Sequence, residues 1–297
     1  MTQKRAQTLS NWQCDLARAG YIAEPSLVAA LLLMQDLGRP LLLEGDAGVG
    51  KTEVAKVLAT LRGTRLIRLQ CYEGLDAHSA MYEWNYQRQL LAIKLLENDA
   101  RGVEAKEQDI FSERYLLKRP LLEAISCTQP PVLLIDEVDR ADEAFEAYLL
   151  ELLSDWQLSI PELGTVQATS RPLVVITSNG TRELSDALRR RCLYQYIDYP
   201  DHAKELAIVR AKAPAAPAAL AQQIVAFVQG VRRLELQKKP GIAETLDWTA
   251  ALLRLGISTI DIGGAERIMD SLSALIKTRD DRAALPREAV ARLAAAC

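Results

Sequence analysis

Residues Gly45-Asp46-Ala47-Gly48-Val49-Gly50-Lys51-Thr52 fit the pattern G-x-x-x-x-G-K-[ST], and the chemistry of that pattern is phosphate binding. Glycines at 45, 48 and 50 allow positive φ and close backbone approach, so that successive N–H groups converge on phosphate oxygens beside a helix N-terminus. Lys51 adds a charge for the β- and γ-phosphates, and Thr52 offers a hydroxyl to Mg²⁺. These residues imply that the chain binds a nucleoside triphosphate. A second chemical group, Asp136-Glu137, closes the apolar run Val132-Leu133-Leu134-Ile135. At the carboxyl end of a buried parallel strand, where open α/β sheets place their ligands, Asp136 can hold the metal through water and Glu137 can polarise an attacking water. The bland alternative is an exposed acidic turn.

Two further positions have two readings each. Asn179 follows the apolar run Leu173-Val174-Val175-Ile176-Thr177, where its amide could meet the γ-phosphate or the lytic water, or could simply cap the next helix. Arg189-Arg190-Arg191 end the stretch 183–191, where cations also suit a helix C-terminus.

The elements that must position these groups are legible in the pattern. Leu41-Leu42-Leu43 reads as a buried strand entering the P-loop, and 53–61 as the helix leaving it. A helix from Ser26 to about Asp36 stops at Gly38-Arg39-Pro40. Thr64 to Gln70 alternates as a second strand. Between Cys71 and Ile125 come the aromatic residues Tyr72, Tyr82, Trp84 and Tyr86, a helical run 87–97, a charged stretch 99–108, and a helix through Leu116, Leu117, Leu121, Leu122 and Ile125. The aromatic cluster suits either core packing or a surface that grips a partner. A helix over 141–154 leads into two alternating segments around Pro161 to Gly164, hence a hairpin over 156–168. After a last strand, 193–197, the chain turns Ala-rich and helical, with helices expected over 218–236, 245–255, 264–278 and 287–296. The expected division is an α/β nucleotide-binding domain, 1–200, and a small all-α domain, 201–297.

Composition narrows the function classes. The chain has 297 residues, 49% of them hydrophobic, and a formal net charge of −3 without a long basic run, so a nucleic-acid partner is disfavoured. Five widely spaced cysteines and two histidines give no metal-ligand spacing, which favours reduced thiols packed as small hydrophobes. No leader pattern and no membrane-length apolar run is present, so a cytoplasmic location with no membrane partner is expected.

The order of these parts resembles the AAA+ ATPases: a P-loop, an acidic strand end, an Asn at the next strand end, an arginine-bearing helix and a helical C-terminal domain. The hairpin at 156–168 looks like the helix-2 insert and points to the MoxR branch. The phrases G-D-A-G-V-G-K-T-E (45–53), R-L-Q-C-Y-E-G-L-D, R-R-R-C-L-Y and A-E-T-L-D-W are similar to those of the ATPases that accompany carbon monoxide dehydrogenase maturation. The resemblance implies an ATP- and Mg²⁺-dependent ring, usually a hexamer, with nucleotide between subunits. It implies nucleotide contacts from Gly45, Asp46, Ala47, Gly48, Val49, Gly50, Lys51, Thr52 and Glu53, metal contacts from Thr52 and Asp136, and catalytic roles for Lys51, Glu137, Asn179 and an arginine finger at Arg191, with Arg190 as the neighbour to test. It further implies a separate von Willebrand A-type adaptor and a metalloenzyme client such as a molybdenum hydroxylase, with residues 156–168 and 72–86, Trp84 and Ile160 among them, facing that client. A DNA-associated loader is the rival class, and a small-molecule kinase fails to use Glu137, the arginine helix or the lid. The start of the third lid helix reads Gly241-Ile242-Ala243-Glu244, where many relatives carry a sensor-2 arginine.

Overall fold

The computed structural model describes residues 2–95 and 102–297, and these pack as two compact units. One holds Ser26–Glu44 and Leu58–Gln195; the other holds the chain through Pro25, Gly45–Val57, and everything from Tyr196 on.

The first unit is built on a five-stranded sheet in the order β2-β5-β8-β1-β9. Its strands are β1 (Leu41–Glu44), β2 (Leu66–Gln70), β5 (Val132–Asp136), β8 (Leu173–Ser178) and β9 (Leu193–Tyr196), with β3 and β4, and β6 and β7, forming separate two-stranded sheets. The pairs β1·β8, β5·β8 and β2·β5 are parallel, so β5, flanked on both sides, is buried along its whole length. That burial is why its sequence is a continuous apolar run rather than an alternation. Parallel register brings the carboxyl ends of β2, β5 and β8 to one edge of the sheet.

Helix α2 (Pro25–Leu37) precedes β1 and α7 (Pro120–Ser126) precedes β5. Helix α8 (Glu143–Asp155) presents Phe145, Leu149, Leu152 and Leu153 to the core at helical spacing. Asp142 caps it by accepting the Phe145 N–H at 2.9 Å, and Trp156, in the left-handed region at φ 54°, ends it. The expected hairpin follows as β6 (Gln157–Ile160) and β7 (Gly164–Gln167).

Three expectations change on the structure. The single helix through Leu116 and Ile125 is instead β4 (Leu116–Lys118) followed by α7, because Pro120 disfavours helical backbone at Arg119 and suits a helix start. β4 pairs antiparallel with β3 (Tyr82–Trp84), a two-stranded ribbon that the helix-like spacing of Leu116 to Ile125 concealed. The short α4 (Ala77–Ala80) precedes β3, and α5 (Tyr86–Leu95) and α6 (Val103–Ile110) lie between β3 and β4; residues 96 and 97 of the expected helical run and 99–101 of the charged stretch lie outside the described residues. The client-facing expectation also changes. Trp84 is 4% exposed, with its ring edge-on to Phe111 at 5.4 Å, and Ile160 is 1% exposed, so both are core. Tyr72 and Tyr86 are the exposed members of the aromatic set.

The second unit contains α1 (Thr2–Arg18), the P-loop, the start of α3 (Lys51–Arg62) and the helical C-terminal region. That region comprises α10 (His202–Lys212), α11 (Ala218–Arg232), α12 (Ile242–Arg254), α13 (Ala265–Ser271), α14 (Arg279–Ala283) and α15 (Arg287–Ala295). Its core gathers Leu220, Ile224, Phe227, Trp248, Leu252, Ile268 and Val290. A buried ion pair ties three of these helices together: Arg232 Nη1 and Nη2 donate to the two oxygens of Glu205 at 2.6 and 2.7 Å, and Thr245 Oγ1 donates to Glu205 Oε1 at 2.8 Å. Among the described residues no helix is long and apolar enough to cross a membrane.

Candidate functional site

In the sheet unit, β5 ends in Asp136 and the chain turns sharply, with Glu137 in the left-handed region at φ 56°, ψ 51°. Strain of this kind at a non-glycine residue persists only where neighbours over-determine it. The lock is Thr177 on the adjacent β8. Its hydroxyl donates to Asp136 Oδ1 at 2.6 Å and accepts the Glu137 N–H at 2.9 Å, so one buried side chain fixes both acids. On the other side, Arg68 of β2 holds Asp136 Oδ2 through Nε at 3.0 Å and Nη2 at 2.6 Å.

Glu137 receives donors on both oxygens. Gln70 Nε2 and Arg140 Nε approach Oε2 at 3.1 and 2.9 Å, and Asn179 Nδ2 approaches Oε1 at 3.4 Å. Asn179 is therefore brought to the acid pair. It does not cap the following helix, α9 (Asp186–Arg191), whose N-cap is Ser185, accepting the Leu188 N–H. Asp139 anchors the Asn179 turn by accepting its N–H at 3.1 Å together with the Thr181 N–H at 3.0 Å and hydroxyl at 2.6 Å. Burial pushes the Asp139 carboxyl up, but these hydrogen bonds outweigh it and hold the group below its ordinary range. Cys71, which donates its N–H to the Asp136 carbonyl, has its thiol pushed up to about 12 by burial and then by the charges of Asp136, Asp139 and Glu137.

Arg68, Gln70, Thr177, Asp139 and Arg140 were not singled out from the sequence. The signal was present in part: Arg68 and Gln70 are the polar members of an alternating strand, and Thr177 is the first polar residue after the apolar run of β8.

In the other unit, the P-loop packs at closest quarters where it is glycine. A Cβ at Gly45 would lie 2.1 Å from the Ile197 carbonyl oxygen, and one at Gly48 would meet Glu244 Oε2 at 3.0 Å and Gly241 Cα at 3.2 Å. Ile242 N–H, at the start of α12, donates to Gly48 O at 2.9 Å, and Glu244 caps the same turn by accepting the Gly241 N–H. The sensor-2 position thus brings a carboxylate to the P-loop. Lys51 is 6% exposed, and its ammonium donates to Gly45 O at 2.7 Å and Asp46 O at 2.8 Å. Thr52 stands in the first turn of α3, and Glu53 beside it pairs with Lys212 at 3.0 Å and Lys56 at 3.3 Å. Asp46 and Ala47 line a cavity of about 710 Å³ together with Tyr199, Lys238, Lys239 and Lys277.

The arginines of α9 differ in disposition. Arg190 has a side chain 82% exposed, whereas Arg191 donates through Nε to Ser154 Oγ at 2.5 Å and through Nη1 to Ala187 O at 3.0 Å. The carbonyls at the end of α9 are capped by Arg39, which donates to those of Arg190, Arg191 and Cys192, while Arg191 holds the Ala187 carbonyl one turn earlier.

Among the described residues no cluster of three His, Cys, Asp or Glu side chains is arranged to hold a metal ion. In the sheet unit the Asp136 carboxylate, and in the other unit the Thr52 hydroxyl, are each the kind of group that suits a hard cation such as Mg²⁺, which keeps several waters and takes its remaining ligands from substrate phosphates.

The AAA domain (dynein-related subfamily) family matches residues 40–192, just over half of the chain. An uncharacterized protein of Staphylococcus haemolyticus (strain JCSC1435) is 26% identical over 209 residues, 68% of this chain and 72% of that protein. YehL of Escherichia coli (strain K12) is 27% identical over 199 residues, and the chaperone protein ClpB of Chlamydia trachomatis is 29% identical over 167. The chain spans 49% of the length of YehL and 17% of that of ClpB. Among solved structures, the RuvB Holliday junction branch migration motor of Thermotoga maritima is similar at a TM-score of 0.44 and 19% identity, over 86% of this chain and 69% of that one.

Proposed function

The chain belongs to the AAA domain (dynein-related subfamily) family, and from that premise we propose that it binds ATP with Mg²⁺ and hydrolyses it, in a ring that remodels another protein. The observation that carries the reading is the strand end itself: Asp136 and Glu137, buried or half-buried, are held by Thr177, Arg68, Gln70, Arg140 and Asn179 with nearly every polar atom assigned a partner. In this reading Lys51 and the P-loop backbone from Gly45 to Glu53 bind the phosphates, Thr52 and Asp136 hold the cation, Glu137 accepts a proton from the attacking water, and Asn179 orients it. The cation supplies charge neutralisation at the β- and γ-phosphates. Residues 1–200 act as the nucleotide-binding domain and 201–297 as its lid.

The motif match assigns the arginine finger to Arg191. Reaching a neighbour's nucleotide requires that side chain to leave Ser154 and Ala187 O, whereas the exposed Arg190 needs no such move. A finger is worth on the order of 10³-fold in rate. Mixed rings of Arg191→Ala and Lys51→Ala subunits should regain activity, because some interfaces then join an intact P-loop to an intact finger. Assembled mixed rings that stay inactive at every ratio argue against Arg191, and recovery with Arg190→Ala instead moves the role by one residue.

The finer assignment, a MoxR-type maturation chaperone for a molybdenum hydroxylase such as carbon monoxide dehydrogenase, working in the cytoplasm with a separate von Willebrand A-type adaptor, is supported by the phrase similarities and by the kinship with a chaperone. Glu137→Gln, loaded with ATP, should retain the client in a pull-down, and a strain lacking the chain should make under-metallated enzyme. Fully active, fully metallated enzyme from that strain contradicts the assignment.

A further inference from the structure

Four polar side chains at the ends of β2 and β5 form one connected run of hydrogen bonds. Arg68 donates to Asp136 Oδ2, and its Nη2 also donates to Gln70 Oε1 at 2.5 Å. Gln70 Nε2 in turn donates to Glu137 Oε2 at 3.1 Å. The geometry follows from the strands: Arg68 and Gln70 are two apart on β2 and share a face, and the parallel register sets Gln70 beside Asp136.

The direction of each bond is fixed by chemistry. A guanidinium has donors and no acceptor, and an ionised carboxylate has acceptors and no donor. The amide lying between them must turn its oxygen to Arg68 and its NH₂ to Glu137. Without Arg68 the amide oxygen loses this donor, and the amide is oriented by its NH₂ alone, through Glu137 and a long contact to the Cys71 carbonyl at 3.4 Å. Arg68 also sets a positive charge against Asp136, whose side chain is 3% exposed.

We propose that Arg68 is a positioning residue that governs both acids: it tempers the pull of Asp136 on a divalent cation and, through Gln70, holds the Glu137 carboxylate toward the water it polarises. The proposal rests on the ATP-hydrolysing reading above. Its signature is a split between two observables. Loss of Arg68 leaves Asp136 more negative, so Mg²⁺ should be needed at lower concentration for nucleotide binding. The same loss loosens Gln70, one of the three side chains that hold Glu137 alongside Arg140 and Asn179, so turnover should fall. A residue that merely stabilised the fold would weaken both.

The test is Mg²⁺-dependent ATP binding by calorimetry, in a Glu137→Gln background that suppresses turnover, with and without Arg68→Ala, alongside steady-state hydrolysis by Arg68→Ala, Arg68→Lys and Gln70→Leu. Arg68→Ala should lower the half-saturating Mg²⁺ by about threefold, limited because the arginine is half-exposed and screened, and should reduce turnover by about tenfold or more. Arg68→Lys keeps the charge on Asp136 and should leave the Mg²⁺ requirement near that of the parent. Gln70→Leu should reduce turnover while leaving the Mg²⁺ requirement unchanged. An unchanged or raised Mg²⁺ requirement in Arg68→Ala overturns the proposal, as does unimpaired turnover. If Arg68→Ala does not fold, judged by urea unfolding, the pair Arg68→Lys and Gln70→Leu decides: full turnover in Gln70→Leu overturns the coupling. A Glu137→Gln parent that binds no ATP at any Mg²⁺ concentration overturns the ATP reading itself, and that failure is recognised because it shows with Arg68 intact.

Discussion

Replacing Thr177 with valine removes one oxygen from a buried side chain and keeps its shape, which makes it the sharpest probe of the strand end. Two bonds go with that oxygen. The hydroxyl's donation to Asp136 Oδ1 at 2.6 Å is a bond to a charged group, worth about 1.5–3 kcal/mol, and the Glu137 N–H that it accepts at 2.9 Å is left without that acceptor, at a cost of about 1–3 kcal/mol. Thr177 is 1% exposed, so water does not readily stand in. Allowing for relaxation, Thr177→Val should destabilise the sheet unit by about 3 kcal/mol, on the order of 100-fold in its unfolding equilibrium, while Thr177→Ser should lose much less. Because the same bond locks the left-handed Glu137, ATP hydrolysis should fall in Thr177→Val even under conditions where it is fully folded. Urea unfolding and steady-state ATPase of the two variants check both halves. A Thr177→Val protein within about 0.5 kcal/mol of the parent, hydrolysing ATP at the parental rate, refutes the argument that this hydroxyl organises the acids.

Asp139 offers a pH test. Its carboxyl is held below the ordinary range in the folded chain, so its contribution is present above the unfolded value of about 4 and is lost as pH falls through the lower folded value. Asp139→Asn should therefore be less stable than the parent at neutral pH, with the gap closing on acidification in urea titrations, and a gap independent of pH contradicts the assignment. Cys71, with its thiol pushed up to about 12, should resist alkylation at neutral pH in the native chain while the exposed Cys14 reacts, as peptide mapping would show.

What the sequence disclosed follows from what each signal depends on. The P-loop, β5 with its acid pair, and the turn at Asn179 are local patterns in the chain, and each stands where it was read. The parallel sheet followed from the apolar runs, since only a strand covered on both faces reads as Val132-Leu133-Leu134-Ile135. Pairing across strands is not local. Arg68 and Gln70 look like the solvent side of an ordinary strand until β2 is set against β5, and Thr177 looks like a tolerated polar residue until its hydroxyl is found between two acids. The β3–β4 pair was hidden because Leu116, Leu117, Leu121, Leu122 and Ile125 mimic helical spacing across the break at Pro120. Large aromatic side chains say little about exposure by themselves, which is why Trp84 was open to either reading and is core.

If nucleotide binding rests on Lys51 in the P-loop and hydrolysis on Glu137 at the strand end, the two should separate by mutation. ATP binding by calorimetry and phosphate release should be measured on Lys51→Ala and Glu137→Gln in parallel. Lys51→Ala should bind no ATP, whereas Glu137→Gln should bind it as the parent does and hydrolyse it at least about 10²-fold more slowly, the scale of a lost general base. Equal loss of binding in both variants, or parental hydrolysis in Glu137→Gln, would contradict that separation.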